Sequence, residues 1–344
     1  MFDCKRRLYL QWLEGHFGKL GLVAMNIRQL QYFLGVLKDR SITKAATRMY
    51  VAQPALGLQI RKLEEEFKVD LITRHSRGIV ATEAGMRLAA QAEILLRQFE
   101  KISQDMLEYS GEPQGLVAVG LTSGTSLLLA AKLVESCRRE YPGINLRLTE
   151  ALSEQLMEWV VDGRIDLTLT YNPNIISGLI SEPLASEELY FVQNSQKIEL
   201  DEDQCTLANI LQTDLALPTN PHLVRVLVEE AARKIGKEVQ VSTEMDSVHV
   251  IKELIRQNLV SSIMPLTTIM REVDSGEFVA WPVKEPSLQR TLFIAHSTHH
   301  PSSKAFMAVV NLMRNSVREF AEKGEVGWTV YGSDKQRKAT SVQD

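Results

Sequence analysis

The chain has few cysteines and no long apolar run, and both features limit the kinds of protein it can be. Its 344 residues include only Cys4, Cys137 and Cys205, an odd number spaced more than 60 residues apart. That spacing argues against a disulfide framework and against a zinc site. No apolar run approaches the roughly 18 residues that span a bilayer, and no secretion signal is present. We therefore expect a cytoplasmic protein without a membrane span or a metal site.

The chain as a whole has little net charge, but a segment near its amino-terminal end is strongly basic. The net charge is only −4, yet residues 26–82 carry ten Lys and Arg against five Asp and Glu. This segment is therefore +5 and the remaining residues are −9. The length favours two or three folding units of about 100–200 residues each. A basic unit joined to acidic ones is typical of a nucleic-acid-binding head on a larger protein.

The apolar spacing of residues 25–82 predicts three short helices and a hairpin. Leu30, Phe33, Leu34 and Leu37 recur at helical intervals, and Ser41 precedes a second helix as its N-cap. A third helix begins near Pro54, which suits a first helical turn. The hairpin follows at about 71–81. Three helices with a tight second connection predict a winged helix-turn-helix, with the motif itself at about 42–61.

A long helix is predicted over 83–109, where proline is absent. Its apolar residues are spaced four and three apart, a heptad seam that favours pairing with a second copy. The alternative is a helix that packs on its own domain. The predicted dimerisation residues are Leu88, Ala92, Leu95, Phe99, Ile102 and Met106.

Beyond a linker at 110–114, short strands alternate with helices over 115–322, which predicts a parallel α/β sheet. The alternation occurs twice and indicates two lobes, one at about 115–186 and 286–322 and the other at about 187–285. A cleft between the lobes is the expected ligand site. We expect 323–344 to be a flexible tail and 1–24 a poorly specified extension, with Met25 as an alternative start.

Several motifs together resemble the LysR-type transcriptional regulators. They include Ser41-Ile42-Thr43-Lys44-Ala45-Ala46, Val51-Ala52-Gln53-Pro54-Ala55-Leu56 and Ala81-Thr82-Glu83-Ala84-Gly85, and weaker features extend to about residue 320. The resemblance implies a multidomain fold: an all-α winged helix-turn-helix N-terminal domain, a linker helix, and an α/β two-lobed effector domain of the periplasmic-binding-protein type II kind. It also implies homodimers or homotetramers on promoter DNA, with RNA polymerase as a further candidate partner.

The third helix carries the side chains expected to contact DNA. Gln53 and Gln59 can read base edges, Pro54 and Ala55 can touch a thymine methyl group, and nearby cations suit phosphates. The alternative is that Arg61 and Lys62 pair with the glutamates at 64–66. The family often has Ser-Arg where this chain has Gly57-Leu58, so a sequence preference does not carry over. The predicted DNA-binding residues are Arg28, Ser41, Lys44, Gln53, Pro54, Ala55, Gly57, Leu58, Gln59, Arg61, Arg74 and Arg77.

A ligand site is predicted where a strand meets the N-terminus of a helix at Thr122, Ser123, Gly124 and Thr125. Hydroxyls and free amides converge there on a small anion, although an ordinary capping turn has the same pattern. The resemblance adds Ser153, Tyr171, Thr219 and Asn220 as effector-binding residues. It also implies metabolic regulation, such as nitrogen or sulfur assimilation, by a small anionic metabolite, with no cofactor.

The sequence offers weaker support for two other classes of function. An enzyme is disfavoured because Gly120-Leu121-Thr122-Ser123-Gly124 places its serine one position too late for a nucleophile elbow, and no phosphate-binding glycine motif follows a strand. A solute-binding protein of the same α/β fold would not need the basic head. We therefore predict a DNA-binding transcriptional regulator that is not an enzyme.

Overall fold

A computed structural model of the chain describes residues 25–76, 78–108, 111–173, 176–298, 303–324 and 326–331. These residues form two compact units that divide between Ser103 and Gln104. The predicted extension 1–24 and the predicted DNA contact Arg77 lie outside the described residues. No helix of the described part has both the length and the apolar composition needed to cross a membrane.

The first unit contains three short helices, a hairpin and most of a long helix. The elements are α1 (Ile27–Asp39), α2 (Ile42–Arg48), α3 (Gln53–Phe67), β1 (Ile72–His75), β2 (Gly78–Ala81) and α4 (Glu83–Glu108).

Local signals in the sequence explain where these helices begin. The side chain of Asn26 accepts a hydrogen bond from the Gln29 amide, and the Gln29 side chain accepts one from the Asn26 amide, which forms a capping box for α1. Ser41 Oγ accepts from the Lys44 amide at 3.3 Å and caps α2, as predicted. Pro54 lies in the first turn of α3, where its missing N–H costs no hydrogen bond.

One apolar core holds the first unit together. It joins side chains from α1, α2, α3 and the hairpin, including Phe33, Leu56, Ile60 and Leu63, which are all essentially inaccessible. Burial of each such side chain contributes about 1.5–3 kcal/mol. This core determines which face of α3 is buried and which is exposed to solvent.

The second unit alternates strands and helices. In order, the elements are β3 (Gly115–Leu121), α5 (Ser123–Glu140), β4 (Ile144–Glu150), α6 (Ser153–Val161), β5 (Leu167–Tyr171), β6 (Leu179–Asn194), α7 (Leu207–Ile210), β7 (Leu215–Leu217), α8 (Leu223–Lys234), β8 (Thr243–Glu244), α9 (Val248–Arg256), β9 (Ser261–Pro265), a 3₁₀ turn (Leu266–Thr268), α10 (Met270–Asp274), β10 (Phe278–Pro282), β11 (Gln289–Ser297), α11 (Lys304–Lys323) and β12 (Trp328–Val330).

The strands form one sheet in the order β4-β3-β5-β11-β6-β9-β7-β8, with β10 and β12 also paired to β6. Strand β3 runs parallel to β4 and β5, and β7 runs parallel to β8 and β9. Strand β6 pairs antiparallel with β9, β10, β11 and β12. The prediction of a parallel sheet is therefore right for β3, β4 and β5 and for β7, β8 and β9. It is wrong for the strands between them, where β11 is antiparallel to both β5 and β6.

Two lobes follow from this sheet because each half has its own apolar core. The core of lobe one lies mainly between β3, β5, α5 and α11. The core of lobe two lies around β7, α7 and α8, and a further cluster packs α9 on β6 and β9.

Two sequence predictions in this unit are wrong in detail. The apolar pattern of residues 239–245 predicts a strand, but the strand in this stretch, β8, has only two residues. The tail expected to be flexible from 323 includes β12, which pairs with β6 and buries the indole of Trp328. A three-residue strand carries too little periodicity to be recognised in a polar stretch.

Candidate functional site

The exposed face of α3 and the residues beside it form a polar, cationic surface on the first unit. Gln53, Pro54, Ala55, Leu58 and Arg61 are exposed and Gln59 is half-buried. Outside α3, Arg28, Lys44 and Arg74 are exposed, and Ser41 is half-buried because it caps α2. Since the N-terminal turn of α3 is open, it is accessible to a DNA groove.

The cations of this surface are not neutralised by neighbours. Glu64 Oε1 accepts hydrogen bonds from the amides of Leu71 and Ile72 at 3.0 and 3.2 Å, so this carboxylate binds the backbone at the start of the hairpin. Within the described part of the chain, Arg61 and Lys62 form no ion pair, so the expected alternative of pairing with Glu64 to Glu66 is not realised. These charges remain available to an external anion.

Gly57 departs from the predicted exposed face because its backbone is buried within α3. A Cβ built on it would nevertheless meet no atom within 4 Å. Packing in the unit therefore does not require glycine at this position.

The predicted dimer seam on helix α4 has a buried part and an exposed part. Leu88 packs on the core of the first unit, and Ala92 is only 1% exposed, so Ala92 has almost no surface for a partner. Leu95, Phe99, Ile102 and Met106 are 45%, 48%, 61% and 61% exposed. The amino-terminal part of the seam therefore packs within the first unit, and the exposed apolar stripe lies farther along the helix.

A cavity of about 600 Å³ opens in the second unit. Its walls come from the N-termini of α5, α6, α8 and α9, the ends of β5 and β9, and one residue of β11. Five of the predicted effector-binding residues line it, namely Thr122, Ser123, Gly124, Ser153 and Tyr171.

Gly124 lies at the cavity wall and packs against the turn that follows β9. A Cβ at Gly124 would come within 2.6 Å of Thr267 Oγ1, in the 3₁₀ turn that follows β9. A glycine is therefore needed for α5 to approach this turn.

Three predicted residues do not line the cavity. The Thr125 hydroxyl is buried and donates to the Thr122 carbonyl at 3.0 Å, so it completes the turn before α5. Thr219 donates from its amide and hydroxyl to Asp246 Oδ1, at 2.8 and 2.7 Å. Asn220 donates to Glu229 and faces α8. Their neighbours Pro218 and Pro221 line the wall instead.

The cavity includes a buried cation that the sequence analysis missed. Arg290 Nε donates to Glu187 Oε2 at 2.6 Å, and its guanidinium lies 3.6 Å from the centre of the Tyr171 ring. Glu187 Oε1 also accepts from Trp328 Nε1 at 2.9 Å and from Thr267 Oγ1 at 2.8 Å. Because Glu187 and Arg290 are both buried, the pair holds β6, β11, β12 and the 3₁₀ turn in one network.

Three titratable groups at the cavity wall each have one predominant charge state near neutral pH. Burial raises the pKa of the Tyr171 phenol well above its usual value, so the phenol stays neutral. Burial lowers the pKa of His222, whose Nδ1 accepts from the Val224 amide at 3.2 Å. The hydroxyl and amide of Thr219 lower the pKa of Asp246, which keeps it ionised.

Sequence reasoning missed Arg290, His222 and Asp246 for a common reason. Each comes from a part of the chain remote from Thr122, and the fold brings them together. For Asp246, the one available signal is the Asp246-Ser247 pair, which is among the weaker features of the family resemblance.

Comparison with known proteins gives two family matches that agree with these two units. Residues 27–86 match the model of the bacterial regulatory helix-turn-helix protein of the lysR family, and residues 110–318 match the LysR substrate binding domain.

Individual relatives are similar over most of their length. The nitrogen assimilation regulatory protein nac of Klebsiella aerogenes is 26% identical over 85% of this chain and 95% of its own. The DNA-binding transcriptional dual regulator OxyR of Escherichia coli K12 is 24% identical over 84% of this chain and 95% of its own.

Among solved structures, full-length CbnR complexed with its target DNA is similar in fold, with a TM-score of 0.66. It is 19% identical, and the match covers 85% of this chain and 100% of that one. The effector-domain match alone spans more than half of the 344 residues. The chain belongs to the LysR family of DNA-binding transcriptional regulators, in which a helix-turn-helix is combined with an effector-binding domain.

Proposed function

We propose that this protein binds promoter DNA as a dimer and that a small molecule in the cavity of the second unit changes that binding. The exposed cationic face around α3 is the observation that carries the proposal. Three of its cations, Lys44, Arg61 and Arg74, form no ion pair with any described residue. Unpaired cations beside an open helix N-terminus are what a phosphate backbone and a major groove require.

The proposed roles on DNA follow from position. Gln53 and Gln59 read base edges from the first turns of α3, while Pro54, Ala55 and Leu58 provide apolar contacts. Ser41, Lys44 and Arg61 contact phosphates from the helix-turn-helix, and Arg74 does so from the wing. Arg28 adds charge from the exposed side of α1.

The proposed dimer uses the carboxyl-terminal part of the seam on α4. Leu95, Phe99, Ile102 and Met106 place apolar surface along about three turns of the helix. Burial of such a stripe against a second copy is favourable at about 25 cal/mol for each Å² removed from water.

The proposed effector carries an anionic group that binds at the N-terminus of α5. Thr122 makes no side-chain cap hydrogen bond there, and the first turn of α5 contains no acidic residue. Regulation of nitrogen assimilation is the process we propose, because the nac relative is similar over 95% of its own length. A conformational population shift links the two sites: the effector favours one arrangement of the lobes, which alters DNA binding.

The two thiols of the described residues do not support a cysteine-based peroxide response, although the OxyR relative is 24% identical. Cys137 and Cys205 are buried, and burial raises the pKa of both thiols, that of Cys205 to about 11. At neutral pH neither is the thiolate that reacts with an oxidant.

The test is retention of fragments from a genomic DNA library by the purified full chain, at low and moderate salt. We expect a small set of intergenic fragments to be retained, with affinity that falls as salt rises. Retention of no fragment at low salt would reject the DNA-binding role.

A further inference from the structure

The outward face of α3 has an apolar centre. Leu58 comes two residues after the buried Leu56 and two before the buried Ile60, and it is 47% exposed. At about 100° of rotation per residue, Leu58 therefore lies on the side of the helix almost opposite both core residues. Pro54 and Ala55 lie one turn earlier on this side and are also exposed. These three exposed residues form an apolar strip along the helix.

Positive charge borders the apolar strip. Arg61 and Lys62 follow Leu58 by three and four residues, which places them one turn farther along the same side of α3. Both side chains are exposed, and neither forms an ion pair with a described residue. This surface therefore complements a partner that carries negative charge around an apolar group.

The first two turns of α3 carry no charge of their own. Residues 49–60 include no Lys, Arg, Asp or Glu, so these turns have no cation that could donate to guanine. The polar side chains there are those of Gln53 and Gln59, and glutamine forms its best base contact with adenine. The chemistry of these turns therefore favours A·T base pairs over G·C base pairs.

Thymine supplies the apolar group that this surface requires. In the major groove it presents a C5-methyl group, which cytosine lacks, and phosphates border the groove on both sides. Leu58 can contact the methyl group from the centre of the helix face, while Arg61 and Lys62 approach the phosphates. Contact removes the methyl group and the leucine surface from water, which is favourable.

We propose that Leu58 is a specificity-determining residue that reads the C5-methyl group of one thymine in each DNA half-site. This inference rests on the proposed DNA-binding role of α3 and narrows it to one base and to one group of that base. Leu58 has no hydrogen-bonding group in its side chain, so the contact depends on the methyl group alone. It distinguishes thymine from uracil and cytosine, and it accepts 5-methylcytosine.

The experiment replaces each thymine of a retained genomic fragment, one at a time, with deoxyuridine, which lacks only the methyl group. Affinity for the purified full chain is measured by fluorescence anisotropy. We expect uracil at the position that faces Leu58 to weaken binding about fourfold, which is the loss for one buried methyl group. At that position, 5-methylcytosine should bind more tightly than cytosine by a similar factor.

Variants of Leu58 assign the thymine to the residue that reads it. Leu58 lies outside the core, so Leu58→Ala leaves the fold intact. In this variant the cost of uracil should disappear at one position and persist at positions contacted by Pro54 or Ala55. Leu58→Met keeps a long apolar side chain and should keep the cost of uracil at every position.

Val69→Ala is the matched control, because Val69 is 44% exposed but lies beyond the carboxyl-terminal end of α3. It should respond to uracil like the unmodified chain.

The proposal is overturned if uracil weakens binding at no position, or if the cost of uracil at every position is the same for Leu58→Ala as for the unmodified chain. Either result would leave DNA binding by α3 standing and remove only the methyl readout. Retention of no genomic fragment at low salt is a different outcome, because it rejects the DNA-binding role and the readout by Leu58 with it.

Discussion

Gly57 is a residue at which stability and DNA binding should change in opposite directions. An added Cβ meets no atom within 4 Å, and alanine favours a helix over glycine by about 1 kcal/mol. Gly57→Ala should therefore raise the free energy of unfolding by about that amount, measured by urea denaturation. We expect its affinity for DNA to fall, because the added methyl group would occupy open space beside α3 that a closely approaching duplex would use.

Gly35→Ala is the control for this variant, since Gly35 lies in α1 and its Cβ would come within 2.7 Å of Met49 Sδ. It should show no such gain in stability. A Gly57→Ala variant that binds DNA more tightly would contradict the proposed close approach.

Arg74 in β1 should contribute to DNA binding without regard to sequence. Its side chain is exposed and forms no ion pair with a described residue. A cation that contacts one phosphate releases about one counterion, so Arg74→Ala should weaken binding to all fragments alike. The slope of log affinity against log salt should fall by about one unit, measured by fluorescence anisotropy.

Arg138→Ala provides the matched loss of charge, because Arg138 is an exposed residue of α5 in the other unit. It should leave the salt slope unchanged. If Arg74→Ala also leaves the slope unchanged, Arg74 does not contact phosphate.

For single residues, the sequence predicted where a side chain lies better than it predicted which side chain it would contact. Thr122 lines the cavity as expected from a strand end and a following helix start, which can be read locally, whereas Tyr171 was expected from the family resemblance. Arg290 was not predicted, because its role depends on Glu187, which is 103 residues away. Pairing over such a separation is set by the sheet topology and leaves no local signal.

Helix α4 should mediate dimerisation through its exposed stripe. Leu95→Arg places a charge within this stripe, where burial against a second copy would desolvate it at a cost of several kcal/mol. We expect this variant to sediment as a monomer at micromolar concentration while keeping the far-ultraviolet circular dichroism of the unmodified chain.

Met86→Arg tests whether any added charge on α4 has this effect, because Met86 is 59% exposed but lies outside the heptad positions. It should remain dimeric. A dimeric Leu95→Arg variant would show that the seam is not the interface.

Strand β12 should stabilise the second unit although it lies outside the matched family region, which ends at residue 318. Trp328 is buried and donates to Glu187, so its removal leaves a buried carboxylate with one donor fewer. Trp328→Phe should reduce the free energy of unfolding by about 1–3 kcal/mol in urea denaturation.

Tyr331→Phe is the comparison for this element, because it removes an exposed hydroxyl that bonds to Thr291. Its effect should be well under that of Trp328→Phe. Equal stability of Trp328→Phe and the unmodified chain would show that the indole N–H is not needed by Glu187.

Prediction of elements succeeded where periodicity was long and failed where it was short. Helices α1, α2 and α3 follow from apolar spacing, from the cap at Ser41 and from Pro54 in the first turn of α3. Strand β6 has 16 residues, but only the stretch near 189–193 has a sequence pattern that predicts a strand, because the other half of β6 is partly exposed. The seam on α4 was predicted as one stripe, but the sequence could not show that Ala92 is covered.

On the scale of the whole molecule, the proposed function requires two helix-turn-helix heads to bind one DNA duplex together. Each recognition helix would occupy one major groove, so the half-site centres should lie whole helical turns apart, at multiples of about 10.5 bp. Inserting five base pairs between the half-sites of a retained fragment turns one half-site to the opposite face of the DNA. We therefore expect that insertion to weaken binding strongly and a ten-base-pair insertion to restore much of it, as measured by gel shift. The Leu95→Arg variant supplies the internal check, because separate monomers bind each half-site independently and should be indifferent to the spacing. If the unmodified protein were equally indifferent, joint binding through α4 would be rejected, whereas DNA binding by the individual heads would stand.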